Sequence, residues 1–289
     1  MPAAKPHRFT VFGGAGFIGS HLVSHLRERG HECQVPARDE ILAPTLPLGH
    51  VVYCIGLTAD FRSRPFDTVE AHTGLFAAFL RSARFDSLIY LSSARIYQSA
   101  DSGRETAQFT VAPTDPSHLY NLTKLTAESL CLSLDRPEIR IARLSNVYGD
   151  DFESDNFLTS VIRDAVQHGS VRVATHPDAA KDYVAIADVT EMLERIALEG
   201  RHRIYNVAAG RNVANGAIMS ALQELTGCAV EWARTAPSVT APPISIELLQ
   251  EDFGYVPRQL AEQLPSLVAQ YRQRYAAVGG ANQRLTACT

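Results

Sequence analysis

The chain has 289 residues, of which 46% are hydrophobic and 20% are charged, and its formal net charge is −4. These values are typical of a soluble globular protein that can bury a sizeable core as one large domain or two small ones. Nothing in the charge balance indicates that nucleic acid or a membrane surface is the main partner.

Short apolar runs alternate with amphipathic helical stretches through the first two thirds of the chain, as in a parallel α/β sheet. Strands are predicted at Phe9–Phe12, Cys33–Val35, Val51–Ile55, Leu88–Ser92, Ile139–Leu144 and Ile204–Val207. Helices are predicted at Ser20–Arg29, Thr68–Ser82, Tyr120–Leu134 and Phe157–His168. Because the strands are continuously apolar, we expect the sheet to be buried on both faces.

The connection between the second and third predicted strands is unusually short. It spans about a dozen residues from Arg38 to Val51 and contains prolines and a glycine, which break helices. A normal crossover needs ten or more residues for a helix and a strand. We therefore expect the third strand of the sheet to be abbreviated, or its helix to be missing.

The glycines at the start of the chain follow the first predicted strand with the spacing G-x-x-G-x-x-G, at Gly13, Gly16 and Gly19. In a dinucleotide-binding unit such glycines provide a tight turn, close approach of the backbone to the pyrophosphate, and close packing of helix on strand. The N-terminus of the following helix offers free N–H groups and a positive dipole end to the phosphates. The sequence therefore predicts a dinucleotide site.

The end of the second strand, where an acidic residue usually binds the adenosine ribose, reads Ala37–Arg38. A carboxylate there would bind the 2′-hydroxyl of NAD and repel a 2′-phosphate, whereas an arginine attracts the phosphate. We therefore predict NADP as the cofactor. The alternative is NAD, with Asp39 binding the ribose and Arg38 in solvent.

Tyr120 and Lys124 are four residues apart on a predicted helix and so share one face. A lysine ammonium beside a phenol lowers its pKa, and such a tyrosine can exchange a proton with a carbinol oxygen while hydride moves to or from a nicotinamide. Ser93 and Asn146 follow two predicted strands, at the sheet edge where ligands bind in parallel sheets. The alternatives are a surface aromatic with a solvated lysine, and a capping or turn serine.

Nine segments along most of the chain together resemble the extended short-chain dehydrogenases/reductases of the NAD-dependent epimerase/dehydratase family. In order they are GGAGFIGSHL, VVYCIGLTAD, YLSSARIYQ, YNLTK, RLSNVYG, SDNFLTSVI, KDYVAIADV, IYNVAAG and EDFGYVP. The resemblance implies an α/β Rossmann domain, a doubly wound parallel sheet, at residues 1–149 with returns to the sheet near 171–210. It also implies a small C-terminal substrate-binding lobe at 150–280, followed by a tail at 281–289.

The resemblance also implies roles for individual residues. The Ser-Tyr-Lys set of the family corresponds to Ser93, Tyr120 and Lys124, and the lysine also holds the nicotinamide ribose. The cofactor site implied comprises Gly13, Gly16, Phe17, Ile18, Gly19, Arg38, Gly56 and Lys124. The substrate site implied comprises Ser93, Asn146, Asn156, Lys181 and, through a looser match, Arg234. Relatives commonly form homodimers through the helix that carries Tyr120, so we expect a homodimer.

The chain departs from the family at two places. Dehydratases carry an Asp–Glu pair after the active-site hydroxyl, where this chain has Ala94 and Arg95, so water elimination lacks an acid and a base. The family's helix asparagine is replaced by Ala71 and His72, and His72 is either a base or a packed histidine.

From the NADP prediction and the missing acid–base pair we expect reduction of a nucleotide-linked 4-keto-6-deoxysugar. The alternatives are a nucleotide-sugar 4-epimerase that retains NAD, a reductase of a non-sugar carbonyl, and a non-catalytic NADP sensor. The five cysteines lack the spacing of zinc ligands and are expected to be reduced thiols, so no metal is predicted. We find no membrane-spanning apolar run and no secretory leader, and expect a cytoplasmic protein.

Overall fold

The computed structural model describes residues 5–37, 40–42, 47–58, 60–233 and 241–286. The strands are β1 Arg8–Phe12, β2 Glu32–Gln34, β3 His50–Tyr53, β4 Ser87–Ser93, β5 Ile139–Leu144, β6 Asn146–Tyr148, β7 Ser170–Val173, β8 Ala180–Ala185, β9 Ile204–Val207, β10 Asn212–Ala214 and β11 Ala229–Trp232. The α-helices are α1 Phe17–Glu28, α2 Pro65–Val69, α3 Leu75–Ser82, α4 Leu119–Ser133, α5 Phe157–Gln167, α6 Ile186–Glu199, α7 Asn215–Thr226, α8 Glu247–Phe253 and α9 Leu260–Thr286.

Six strands form the main sheet in the order β2-β1-β3-β4-β5-β9, and every neighbouring pair is parallel. All six strands predicted from the sequence are present in it, with ends that differ by two residues at most. Most of their apolar side chains are buried, and those of Val52 and Ile89 are fully buried. The parallel α/β sheet is therefore confirmed.

Helices cover both faces of this sheet. On one face α1 and α6 contribute Leu22, Leu26 and Leu193 to a buried cluster with the strands. On the other face α3 and α4 contribute Phe79 and Cys131 to a second cluster. The sheet is thus doubly wound, as the sequence pattern predicts.

The short connection after β2 determines how the sheet ends. β2 pairs with β1 and β3 pairs with the other side of β1, so the chain crosses over β1 between them. The described residues of this connection form neither an α-helix nor a strand. Ile41 and Leu48 are buried against the core from this segment. The third strand expected of a full Rossmann sheet is therefore replaced, in the described part, by a few packed residues.

The second part of the chain alternates between the main sheet and a smaller lobe. β6, β8 and β10 form a three-stranded sheet, and β7 pairs with β11. Side chains of α5, α7 and α9 pack with these strands in a separate core, while α6 and β9 return to the main sheet. No helix in the described part of the chain is both long and apolar enough to cross a membrane.

Candidate functional site

The glycine loop is built for close backbone contacts between β1 and α1. Gly13 has a φ of +80°, in the left-handed region that favours glycine, and its carbonyl oxygen accepts from the N–H of Gly16 at 3.0 Å. A Cβ atom on Gly19 would stand 2.3 Å from that same oxygen. The helix begins at Phe17, three residues earlier than predicted, because Gly16 has extended backbone and caps it. Free N–H groups at this helix start are suited to a pyrophosphate.

Two further segments border the predicted dinucleotide site, one at Gly56 and one after β2. At Gly56 a Cβ would lie 3.1 Å from Nε2 of His72 and 3.4 Å from Nζ of Lys124, so the backbone there passes close to both side chains. At the end of β2, Glu40 accepts a hydrogen bond from the N–H of Ala37 at 2.8 Å. Arg38 and Asp39, on which the cofactor prediction rests, lie outside the described residues. The carboxylate of Glu40 was not considered in the sequence analysis.

Ser93 and Tyr120 meet at the carboxyl end of the sheet. Ser93 ends β4 and accepts from the N–H of Arg95 at 3.2 Å, while Tyr120 lies in the first turn of α4 and is 5% exposed. Burial raises the pKa of Tyr120, and its hydrogen bond with Ser93 and the charge of Arg95 lower it in part. The pair is therefore arranged to share a proton with a substrate oxygen.

Lys124 is buried, and its ammonium group is turned to a backbone carbonyl. Its Nζ donates to the carbonyl oxygen of Leu91 at 2.8 Å and lies 6.0 Å from the ring centroid of Tyr120. Desolvation lowers the pKa of Lys124 to about 7, against the opposing charges of Glu128 and Cys54. Burial is the largest influence on the pKa of Tyr120, and the ammonium group of Lys124 is turned to a backbone carbonyl. The lowering of the tyrosine pKa by this lysine stays a prediction.

His72 is a packed histidine behind the site. It lies in a π-helical segment, Glu70–Gly74, which interrupts the single helix predicted over residues 68–82. Its Nδ1 is 2.8 Å from the hydroxyl of Thr123, and its Nε2 accepts from the N–H of Leu57 at 3.1 Å. Burial, followed by the charge of Lys124, lowers the pKa of His72 to about 3, so the ring is neutral. Its edge packs on Tyr120 with centroids 5.1 Å apart, which fixes the tyrosine ring.

Three of the predicted substrate residues lie on β6, at the start of α5 and on β8. Asn146 is exposed and donates to the carbonyl oxygen of Asp182 at 2.8 Å. Asn156 caps α5 by accepting from the N–H of Thr159 at 3.0 Å, so its carbonyl oxygen is used within the chain. Lys181 lies on β8 with its Nζ 5.8 Å from the ring centroid of Phe157. Arg234 lies outside the described residues.

The two residues after Ser93 carry no carboxylate. Ala94 is buried, and Arg95 places its guanidinium carbon 5.8 Å from the ring centroid of Tyr120. The sequence analysis noted Arg95 only because it stands where a carboxylate was expected. It did not predict that the guanidinium group lies near the ring of Tyr120. No group of three or more metal-binding side chains is found among the residues that the structure describes.

A protein-family model described as "NAD dependent epimerase/dehydratase family" matches residues 9–208. A similar curated protein is a UDP-glucose 4-epimerase of Corynebacterium glutamicum, which is 23% identical over 86% of this chain and 91% of its own length.

Two solved structures bear on the fold. MoeE5, solved with NAD and either UDP-glucose or UDP-glucuronic acid, has a TM-score of 0.78 or 0.77. It is 22% identical in both complexes, which cover 93% or 92% of this chain and 99% of that chain. RMD from Pseudomonas aeruginosa, complexed with NADPH, has a TM-score of 0.73, 21% identity, and coverage of 91% of this chain and 99% of that chain. At these identities the likeness shows the fold, and it spans nearly the whole chain.

Proposed function

Because the chain belongs to the NAD-dependent epimerase/dehydratase family, enzymes of the extended short-chain dehydrogenase type, we propose that it oxidises or reduces a ring carbon of a nucleotide-linked sugar. The observation that carries this proposal is the pairing of Tyr120 with Ser93 at the carboxyl end of β4. Lys124 lies one helical turn away, next to Gly56 in the predicted cofactor pocket. Nucleotide sugars are the ligands of MoeE5, one of the solved structures with a similar fold.

The glycine loop fits a dinucleotide because it brings bare backbone to the start of the helix: a Cβ on Gly13 would meet the backbone of Cys54 at 3.0 Å, and one on Gly19 would meet the carbonyl oxygen of Gly13 at 2.3 Å. When bound, the nicotinamide supplies or accepts the hydride. Ser93 hydrogen-bonds the oxygen on the reacting carbon, and Tyr120 gives that oxygen a proton on reduction or removes one on oxidation. Lys124 holds the nicotinamide ribose. With Ala94 and Arg95 after the serine, the site has no carboxylate pair for eliminating water.

Two net reactions use this geometry. In the first, a nucleotide-linked 4-keto-6-deoxysugar is reduced with NADPH, as the Ala37–Arg38 sequence favours. In the second, the enzyme retains NAD and returns the hydride to the other face of the same carbon, giving 4-epimerisation. The carboxylate of Glu40 at the end of β2 and the similarity to a UDP-glucose 4-epimerase favour the second.

Tyr120→Phe tests the site, with Tyr183→Phe as a matched control. Both tyrosines are buried, and the hydroxyl of Tyr183 has no hydrogen-bond partner among the described residues. We expect Tyr120→Phe to lower turnover of nucleotide sugars ~10²–10⁴-fold, the usual contribution of a general acid or base, while NAD(P)H binding by fluorescence is unchanged. Normal turnover by this variant would refute the assignment.

Cofactor binding and consumption separate the two net reactions. Stoichiometric loss of NADPH with nucleotide-linked ketosugars supports reduction, and conversion of UDP-glucose to its 4-epimer without net cofactor use supports epimerisation. Equal or tighter binding of NADH than of NADPH would contradict the NADP prediction.

A further inference from the structure

Three buried side chains, Tyr120, Lys124 and Glu128, follow one face of α4 at intervals of four residues. The ammonium group of Lys124 donates to the carbonyl oxygen of Leu91 at 2.8 Å. One turn further along the helix, the carboxylate of Glu128 accepts a hydrogen bond from the hydroxyl group of Ser92. Two adjacent residues of β4 therefore hold the lysine and the glutamate side by side.

Glu128 brings a negative charge to this position. It is 3% exposed, and the described groups that bind its carboxylate are all donors. Arg143 donates through Nε to one oxygen at 3.1 Å and through Nη2 to the other at 2.6 Å, and the hydroxyl group of Ser92 donates as well. A carboxylate bound in this way by a guanidinium group is held in its charged form.

The other titratable groups that the described residues bring to Lys124 are neutral near pH 7. Burial raises the pKa of Cys54 to about 12, and it also raises the pKa of Tyr90, whose ring centroid lies 5.0 Å from Nζ of the lysine. Burial raises the pKa of Tyr120 and, together with the lysine charge, lowers that of His72 to about 3. The carboxylate one turn along α4 is therefore the charge that favours the ammonium form against burial.

We propose that Glu128 is a positioning residue for the reaction, which keeps Lys124 in its ammonium form beside Tyr120 and the nicotinamide ribose. The inference rests on the proposed function and adds to it a residue that acts through the lysine rather than on the substrate. The interaction is effective over one helical turn because both groups are buried, where charges are screened less than in water. A carboxylate at such a distance favours the ammonium form by ~1 pH unit or more.

The first test measures the charge of Lys124 without substrate or cofactor. A methionine in place of this lysine removes the buried charge, and the resulting gain in stability should begin to shrink above about pH 7, where the folded protein loses the lysine proton. We expect the gain measured between Glu128→Gln and Glu128→Gln/Lys124→Met to begin to shrink ~1 pH unit or more lower. Urea denaturation between pH 5 and 9 measures both gains.

Two further backgrounds separate charge from packing. Ser92→Ala removes a hydrogen bond to Glu128 but keeps its ion pair with Arg143, so the gain should begin to shrink at the wild-type pH. Glu128→Met/Arg143→Met replaces the whole pair with apolar side chains, which keeps a folded background even if Glu128→Gln does not fold, and should lower that pH. The same pH in all backgrounds, or an equal fall in Ser92→Ala, would overturn the inference.

The second test measures turnover of UDP-glucose, or of a nucleotide-linked ketosugar, at pH 6 and pH 8. If the pKa of Lys124 falls by one unit from about 7, the ammonium fraction falls ~2-fold at pH 6 and ~10-fold at pH 8. Turnover by Glu128→Gln should fall in the same proportions, whereas equal losses at both pH values would indicate a structural role and overturn the inference.

The two tests fail separately. Wild-type protein that converts neither kind of nucleotide sugar would refute the proposed function. The stability comparison would still decide whether Glu128 holds the charge on Lys124, because it needs no turnover.

Discussion

Replacing Lys124 with methionine should stabilise the protein while abolishing its activity. Lys124 is 5% exposed, and its ammonium group donates a hydrogen bond to the carbonyl oxygen of Leu91. The fall in its pKa from 10.5 to about 7 is equivalent to ~5 kcal/mol of disfavoured charge, at ~1.4 kcal/mol per pH unit. Losing the hydrogen bond offsets ~1 kcal/mol of this, so the methionine variant should be ~4 kcal/mol more stable near pH 6.

This gain should depend on pH in one direction. Because the pKa of Lys124 is lower in the folded protein than in the unfolded chain, the folded state binds fewer protons between about pH 7 and 10.5. Wild-type stability therefore rises with pH over that window, and the advantage of Lys124→Met shrinks by ~1.4 kcal/mol per unit. Below about pH 7 the advantage should be constant.

Urea denaturation of both proteins at pH 6, 7, 8 and 9, followed by circular dichroism, measures this difference directly. Lys5→Met removes an exposed lysine and should change stability by less than ~0.5 kcal/mol. A methionine variant that is less stable at pH 6, or a difference that does not vary between pH 7 and 9, would refute the reasoning.

Two further variants test the scaffold of the site. Arg143→Met should lower the free energy of unfolding by ~3–5 kcal/mol, because it leaves the buried Glu128 without its cation. As a control, Arg136→Met breaks the half-buried ion pair with Glu138 and should lower the free energy of unfolding by less than ~1 kcal/mol. Equal losses for the two variants in urea denaturation would contradict this account. Gly19→Ala should cost ~1–3 kcal/mol and weaken NAD(P)H binding, since its Cβ would meet backbone at 2.3 Å. Gly16→Ala, whose Cβ would have 3.4 Å of space, is its control for stability, and equal losses of stability in the two variants would refute the packing role.

The parallel sheet and the position of the glycine loop could be predicted because they follow from local patterns. Continuous apolar runs identify buried strands, and the spacing of glycines after β1 identifies the turn into α1. The length of the connection after β2 was also informative, since too few residues are present for a normal crossover. The strands, the glycine loop and the short connection all depend on residues that are close to each other in the sequence.

The side-chain environments of the site could not be predicted because they depend on distant residues. Nothing near Lys124 in sequence indicates that its ammonium group turns to the carbonyl oxygen of Leu91, or that burial raises the pKa of Tyr120. The packing of His72 requires Thr123 and a π-helical segment. Tertiary packing decides which oxygen atom a lysine or histidine side chain faces. The spacing of residues in the sequence does not predict that packing.

In many dinucleotide-binding proteins, cofactor preference and the stability of the sheet must change together. The short β2 strand separates these two properties here. In the described part of the chain β2 has a neighbour on one side only, so the segment after it carries little of the sheet. Residues that meet the adenosine end of the cofactor can therefore be exchanged with small effects on folding. Directed evolution of cofactor preference in this enzyme should concentrate on residues 36–40 and leave Ile41, which is buried in the core, unchanged.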